Sequence, residues 1–393
     1  MNIAIVGCGY VAESYVKTLG NYPHLKLVGA YDRDDSNLRS FCQRSATRPY
    51  NNLQQMLDDR AVEIVLNLTN PLSHYDVTRQ CIEAGKHVYS EKPLAMDSKR
   101  ARELVDLAQA RDVYLACAPC SVLGEAAQAA WKAIRDNVIG RVRLVYGNFD
   151  DGIIASRQTP WLWENEAGVP WPAKDEFEIG CTYEHAGYLL TWLAAFFGPA
   201  RKVTSFAACL HPDKGIAVDS MAPDFTSGCI EYDNQVVARV TCSLLGPKDK
   251  SLTIMGDEGV LMVPDVRNDG CPVYLRRIPP GKMRGGIERR LNDWRRMLRL
   301  PGSESDWHLW ENYPVRPSRS KRFASRTKPV DFCRGPAELA DAIRTRRPCR
   351  LSARLGWHIT ELVETLQHPE RYGFCRTLTS HFESIHPLVQ PQS

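Results

Sequence analysis

The fold is decided by the run Asn2-Ile3-Ala4-Ile5-Val6-Gly7-Cys8-Gly9-Tyr10-Val11-Ala12 at the start of the chain. Ile3–Val6 is a short apolar run of the kind buried in a parallel sheet, and Gly7-x-Gly9-x-x-Ala12 then opens a helix reaching to about Leu19. Each small residue has a reason in that order. The first glycine permits the tight turn and the second lets a pyrophosphate approach the backbone. The third small residue lets helix and strand pack closely, and the helix N-terminus faces the anion. A second apolar strand, Leu25–Tyr31, ends at Asp32, roughly 20 residues on, where a carboxylate can hold the two ribose hydroxyls. Gly7, Gly9, Tyr10, Val11, Ala12 and Asp32 are therefore candidate dinucleotide-binding residues. Arg33 beside the acid can accept a 2′-phosphate or stack on adenine, so NAD is favoured and NADP stays open. The competing reading is a tight strand–helix turn that binds nothing.

The alternation continues outward. A polar helical stretch is followed by strand Val62–Leu68, helix His74–Ala84, strand His87–Ser90, helix Ser98–Ala110 and strand Val113–Ala116. Apolar strands alternating with amphipathic helices imply parallel strands joined by right-handed crossovers. The expected fold is α/β, with an N-terminal Rossmann doubly wound parallel sheet whose ligand lies beyond the carboxyl ends of the strands. After about Ser121 a helix, Glu125–Asn137, leads into longer alternating strands: Val142–Phe149, Lys202–Cys209, Phe225–Tyr232, Gln235–Leu244 and Leu252–Met255. Asp233-Asn234 reads as a hairpin turn between two of them. Strands without intervening helices predict a C-terminal α+β domain with a mainly antiparallel open sheet. The expected division is 1–120 for the NAD(P)-binding domain and 121–393 for substrate binding and oligomerisation, with a basic insertion at about 265–330. Helical patterning returns at Gly335–Arg344 and Gly356–Leu366, and the Trp- and Pro-rich Gly152–Lys174 reads as a loop bordering a site.

Composition sets the outer limits. The chain has 393 residues, 44% hydrophobic and 24% charged, as expected of a soluble protein large enough for two domains. A net charge of +4 gives no argument for a nucleic-acid partner. No apolar run reaches the ~18 residues of a membrane span, and the first strand begins too early for a secretory signal. The thirteen cysteines form no framework and are expected as reduced thiols in a cytoplasmic protein.

Glu91-Lys92-Pro93 follows the strand His87–Ser90, at the edge where chemistry is expected. A lysine there can donate to a substrate oxygen or, desolvated, take its proton. The longer run Ala84-Gly85-Lys86-His87-Val88-Tyr89-Ser90-Glu91-Lys92-Pro93-Leu94-Ala95 resembles the signature of the Gfo/Idh/MocA (glucose–fructose oxidoreductase/inositol dehydrogenase) family. Leu68-Thr69-Asn70-Pro71-Leu72-Ser73-His74 is similar to that family's nicotinamide-side loop. The resemblance implies that Thr69, Asn70, Pro71, His74 and Glu91 belong to the cofactor site, with Lys92 as its catalytic lysine. It also implies an acid followed four residues later by His or Tyr on a helix of the second domain. The matching segment is Gly180-Cys181-Thr182-Tyr183-Glu184-His185-Ala186-Gly187-Tyr188. Counting back from Gly198 puts Glu184 and Tyr188 at the pair's positions, on one helical face. A three-residue lengthening of the helix instead puts His185 in the histidine's place. Either Tyr188 or His185 is then the proton-transfer group, with Lys92 expected to lower the tyrosine's pKa. The bland alternative is that these side chains merely pack around a helix start.

Other constellations carry less. Cys117-x-x-Cys120 has redox or metal spacing but lacks a second Cys/His pair, so no metal is expected. Trp161, Trp163 and Trp171 either stack on a sugar ring or pack locally. Ile287, Leu291, Trp294 and Leu298 recur at helical spacing among arginines. That stripe packs on its own domain, or else residues 287–299 lie on an anionic membrane surface.

The expected activity is hydride transfer between NAD or NADP and a secondary alcohol of a sugar, cyclitol or nucleotide-linked sugar. The substrate is then a small sugar-like molecule, and the assembly a homodimer or homotetramer. One alternative is an NAD-dependent glycosidase or lyase with transient sugar oxidation and no net redox. Another is a non-catalytic dinucleotide sensor, against which Lys92 counts.

Overall fold

A computed structural model describes residues 1–154, 159–278, 310–316, 329–373 and 375–388. Strand β1 (Asn2–Val6) is buried from Ile3 onward and pairs in parallel with β2 (Lys26–Tyr31) and β3 (Ile64–Asn67). Beyond them β4 (His87–Ser90) and β5 (Leu115–Cys117) complete a five-stranded parallel sheet of order β2-β1-β3-β4-β5. The connections are α1 (Ala12–Leu19), α2 (Asp35–Ser45), α3 (Leu53–Asp58), α4 (His74–Glu83) and α5 (Ser98–Ala110). The order reverses between β1 and β3, and a crevice opens at such a switch point. Asp34, Asn52 and Asp97 cap α2, α3 and α5 with side-chain acceptors. Helix α1 begins at Val11, which has none. Ala12 N–H and Ser14 N–H turn back to Gly9 O and Val11 O at 3.2 and 2.9 Å, so no side chain closes this helix start.

The second half forms one nine-stranded sheet. Its strands are β6 (Val142–Asp150), β7 (Ala200–Ala208), β8 (Phe225–Tyr232), β9 (Val237–Ser243), β10 (Leu252–Gly256), β11 (Gly259–Val263), β12 (Val273–Arg277), β13 (Glu311–Tyr313) and β14 (Cys375–Thr377). Their order is β13-β12-β11-β10-β6-β9-β8-β7-β14, antiparallel throughout except where β6 runs parallel to β9. Two of these strands, β12 and β13, fall in the segment read as a basic, loop-rich insertion. Val273 and Leu275 are buried while Arg277 is exposed, an alternation too short to stand out among prolines and arginines. The stripe Ile287, Leu291, Trp294 and Leu298 lies outside the described residues.

Helix α6 (Glu125–Arg135) precedes the sheet, and one face of the sheet is covered by α7 (Ala173–Ile179), a π turn (Thr182–Ala186) and α8 (Gly187–Phe197). Helix α8 is apolar nearly all round, as a helix enclosed on every side must be. Gly147 lets it sit close, since a Cβ there would lie 2.6 Å from a Leu189 methyl. The inward positions of β6 are Val145, Gly147 and Phe149, and the same parity carries on to Asp151 just past the strand.

The chain then returns to its first half. Helices α9 (Arg334–Thr345), α10 (Ala353–Gln367) and the short α11 (Pro369–Tyr372) follow. The Trp357 indole of α10 donates to Ser98 Oγ at 2.9 Å, and the Cys117 N–H at the end of β5 donates to Leu351 O at 3.0 Å. All thirteen cysteines are free, and only Cys209, Cys229 and Cys375 are exposed. Among the described residues no helix is long and apolar enough to cross a membrane.

Candidate active site

The glycine turn is built for a close approach. Gly7 has φ +92°, and a Cβ on it would lie 2.6 Å from the backbone of Leu68 and Thr69. Gly9, by contrast, faces open space, with nothing within 4 Å of where a Cβ would be. The turn is thus pressed against the end of β3 on one side and clear on the other, beside the uncapped start of α1. Asp32 holds the far edge: its carboxylate accepts the Cys8 N–H at 2.6 Å and the Asp34 N–H at 2.8 Å. Together these groups fit a dinucleotide, with Gly9, Tyr10, Val11 and Ala12 at the pyrophosphate and Asp32 at a ribose. A strap from the second half crosses here. Asn165 Nδ2 donates to Tyr10 O at 3.1 Å, and Lys17 pairs with Glu166 at 2.6 Å.

On the other side of the switch point, Thr69 donates its hydroxyl to Asn67 Oδ1 at 2.7 Å. Pro71 begins a short 3-10 turn after Asn70. Asp175 of α7 lies near Asn70; burial raises its carboxyl, against the pull of Asn70 and the Arg33 charge. His74 is buried, with Nε2 2.9 Å from Thr69 O and Nδ1 2.6 Å from Pro93 O. The ring thus lies between the Thr69 loop and the Lys92-Pro93 turn, with its one N–H able to donate to a carbonyl of either. Glu91 is committed: it accepts from the Tyr15 hydroxyl at 2.6 Å and from the Lys92 N–H at 3.0 Å.

Lys92 projects from the turn after β4 and meets Glu184, with Nζ 2.5 Å from Oε2 and the two side chains 15% and 7% exposed. The π turn gives one extra residue to the start of the helix. Glu184 then points to Lys92, while the next residue, His185, lies with Nε2 3.4 Å from Asp151 and 3.5 Å from Glu176. His185 and Tyr188 stack on the same ring, Phe149, at 5.4 and 5.6 Å. Arg267 lies over the Tyr188 ring at 4.7 Å, and Lys250 pairs with Asp151 while lying 4.8 Å from Phe149.

The electrostatics follow from burial and sign. Burial opposes the Lys92 charge, but the Glu184 carboxylate, backed by Tyr188, Glu176 and Glu91, outweighs it and holds the ammonium's pKa above its ordinary value. Burial also raises the Tyr188 phenol, and the Arg267 and Lys92 cations offset only part of that. Lys92 thus acts on the phenol in the expected direction, and burial outweighs it. Burial pulls His185 down to about 4, although Asp151 opposes it. Glu176 is pushed well above the carboxylate range by burial and by its neighbour Glu184. Burial works against the Asp151 charge too, yet His185, Lys250 and Arg267 hold that carboxyl below its usual range.

All four residues expected to act on the substrate thus meet in one cluster. Asp151, Glu176, Lys250 and Arg267 complete it, and the sequence reading had missed them. For the three that adjoin strands the one signal is parity. Asp151 continues the inward positions of β6, Lys250 precedes inward Leu252 of β10, and Arg267 follows inward Leu261 and Val263 of β11. Trp163 lies 5.4 Å from Trp171, which meets Phe177 edge-on at 6.1 Å. Cys117 and Cys120 are buried against backbone carbonyls, and burial raises both thiols.

Residues 1–118 match the family described as GFO_IDH_MocA, "Oxidoreductase family, NAD-binding Rossmann fold", and residues 127–262 match the "GFO/IDH/MocA C-terminal domain". Trans-1,2-dihydrobenzene-1,2-diol dehydrogenase of Sus scrofa is 22% identical over 275 residues, covering 69% of this chain and 76% of that protein. An oxidoreductase from Agrobacterium radiobacter, crystallised with NAD+, L-tartaric acid and magnesium, superposes with a TM-score of 0.73 at 14% identity, covering 96% and 98% of the two chains. The aldose-aldose oxidoreductase from Caulobacter crescentus superposes with a TM-score of 0.72 at 16% identity, over 96% and 99%.

Proposed function

Because the chain belongs to the Gfo/Idh/MocA family of NAD(P)-dependent oxidoreductases, we propose that it transfers a hydride between a nicotinamide dinucleotide, NAD by preference, and a secondary alcohol of a sugar or cyclitol. The observation that carries this reading is the buried Lys92–Glu184 pair beside Tyr188, at the carboxyl edge of the parallel sheet. The bound nicotinamide supplies the redox step, taking or returning a hydride at its C4. Lys92, kept as an ammonium by Glu184, donates to the substrate oxygen and stabilises negative charge developing there. Tyr188 moves the hydroxyl proton. Among the described residues its hydroxyl makes no hydrogen bond, whereas His185 is turned to Asp151 and Glu176. The dehydrogenase of dihydrobenzenediol and the aldose-aldose oxidoreductase lend the alcohol class of substrate to this chain as well. The outer face of the nine-stranded sheet, where Tyr146 and Phe206 are exposed, is assigned to contact between copies in a homodimer or homotetramer.

The test is absorbance at the nicotinamide band with NAD+ and NADP+ and a panel of sugars and cyclitols. A rise with at least one of them is expected, and a flat trace across the panel with cofactor bound sinks the reading in favour of a sensor.

The strap over the glycine turn favours a second reading, transient oxidation on a retained cofactor without net redox. The exposed Lys17–Glu166 pair adds little, so the Asn165–Tyr10 hydrogen bond is what supports it. Protein purified with NAD that does not exchange, together with sugar cleavage at constant absorbance, is the result that selects it.

A further inference from the structure

Three cations meet in the cluster, and two of them have an ion-pair partner there. Lys92 is matched by Glu184 and Lys250 by Asp151. Burial pushes Glu176 toward its protonated form and His185 toward its neutral one. Arg267 remains. Among the described residues no carboxylate lies within ion-pair distance of its guanidinium, and its Nε is buried without a hydrogen-bond partner. The charged and titratable groups it feels are Tyr188 beneath it, Asp151, Glu176 and Asp265, none of them close enough to pair, and Lys250, which repels it. Asp265 spends an oxygen on the Arg267 backbone N–H at 2.9 Å. Arg267 is half-buried, and a cation partly withdrawn from water gains when a ligand completes the pair. The planar fork of a guanidinium suits a planar oxyanion bound through two parallel hydrogen bonds. One guanidinium without an ion-pair partner matches a carboxylate. A phosphomonoester, at about −1.5 to −2, calls for more.

We propose that Arg267 is the specificity-determining residue for a substrate that carries a carboxylate, such as a sugar acid, a uronate or a smaller hydroxy acid. The carboxylate takes the Arg267 fork while the alcohol to be oxidised lies at Lys92 and Tyr188. This rests on the hydride-transfer reading and names the substrate class within it.

The experiment uses the full chain loaded with cofactor and matched probes: D-glucuronate against D-glucose, D-gluconate against D-glucitol, and D-glucose 6-phosphate as a third arm. Binding is read by calorimetry and turnover by nicotinamide absorbance, for the wild type, Arg267→Gln and Arg267→Lys. The acid of each pair is expected to be preferred at least tenfold. In Arg267→Gln that ratio falls to near one, and Arg267→Lys lies between, having the charge without the fork. Neutral probes equal to the acids, an acid preference untouched in Arg267→Gln, or D-glucose 6-phosphate ahead of both acids overturns the proposal. The two readings fail separately. Acid-selective binding with no absorbance change in any arm counts against hydride transfer and for the Arg267 seat. Absorbance change without acid selectivity does the reverse.

Discussion

Lys92 Nζ and Glu184 Oε2 meet at 2.5 Å across the joint between the two sheets, one from the turn after β4 and the other from the π turn before α8. Each half of the chain supplies one member of the pair. The pair also sets the resting state: an ammonium and a carboxylate, both largely removed from water, with a phenol at their side.

Replacing Lys92 by Ala is expected to lower kcat by about 10²–10⁴-fold, the range for a positioned proton donor. Titration of the variant with NADH, followed by fluorescence, is expected to give a Kd close to the wild type, because the glycine turn and Asp32 are remote from the change. Turnover at the wild-type rate refutes the role.

Glu184→Gln removes the charge that outweighs burial at Lys92. The lysine pKa then falls, and the alkaline limb of the kcat/KM profile shifts to lower pH. Breaking a buried pair by removing one partner typically costs about 3–5 kcal/mol, so the profile is to be compared with the melting temperature of the same sample. A profile that keeps its alkaline limb counts against the pairing.

Tyr188→Phe and His185→Asn separate the two candidates for proton transfer. The tyrosine variant is expected to lose about 10²–10⁴-fold in kcat, and the histidine variant less than about tenfold, its effect falling mainly on stability. The reverse order of rates would make His185 the proton carrier.

His358 gives a pH dependence of stability away from the site. The Ala200 N–H donates to its Nε2 at 2.9 Å, so the ring must be neutral, with Nδ1 donating to Ser380 Oγ at 2.7 Å. Burial lowers its pKa from 6.5 to about 4. The folded-state value is depressed, so this stability is fully present above about 6.5 and is lost as pH falls toward 4. The slope for one such proton reaches roughly 1.4 kcal/mol per pH unit. Urea midpoints measured across that window are expected to fall for the wild type and to fall less steeply for His358→Asn.

Gly7→Ala forces a side chain to φ +92° and into the backbone of Leu68 and Thr69. A loss of about 1–3 kcal/mol is expected, together with weaker dinucleotide binding. Thermal melting and NADH titration measure the two effects.

The parallel half was legible because its signals are local. Gly7, Gly9 and Asp32 sit at spacings dictated by one turn and one ribose, and Lys92 lies in a run whose resemblance is specific. The substrate half was less so. Asp151, Lys250 and Arg267 come from the ends of three different strands, and only the pairing of β6 with β10 and of β10 with β11 brings those ends to one edge. Register of that kind leaves no mark at short range. Nor has the π turn a composition of its own; it showed only as the ambiguity of whether His185 or Tyr188 holds the second position. Burial decided the sign at Tyr188, and a sequence does not state the depth at which a side chain will lie.

The return of the chain end to the first sheet has a consequence for how the protein is made. Cys333 N donates to Thr18 Oγ1 at 3.1 Å, Tyr22 donates to Asp331 at 3.0 Å, and Leu351 receives the Cys117 N–H. Residues 1–120 leave the ribosome before residues 331–351, so α1 and β5 stay uncovered on that side until that later segment emerges. The dinucleotide-binding half thus waits in an unfinished state during synthesis, and a premature stop anywhere before residue 330 leaves it bare.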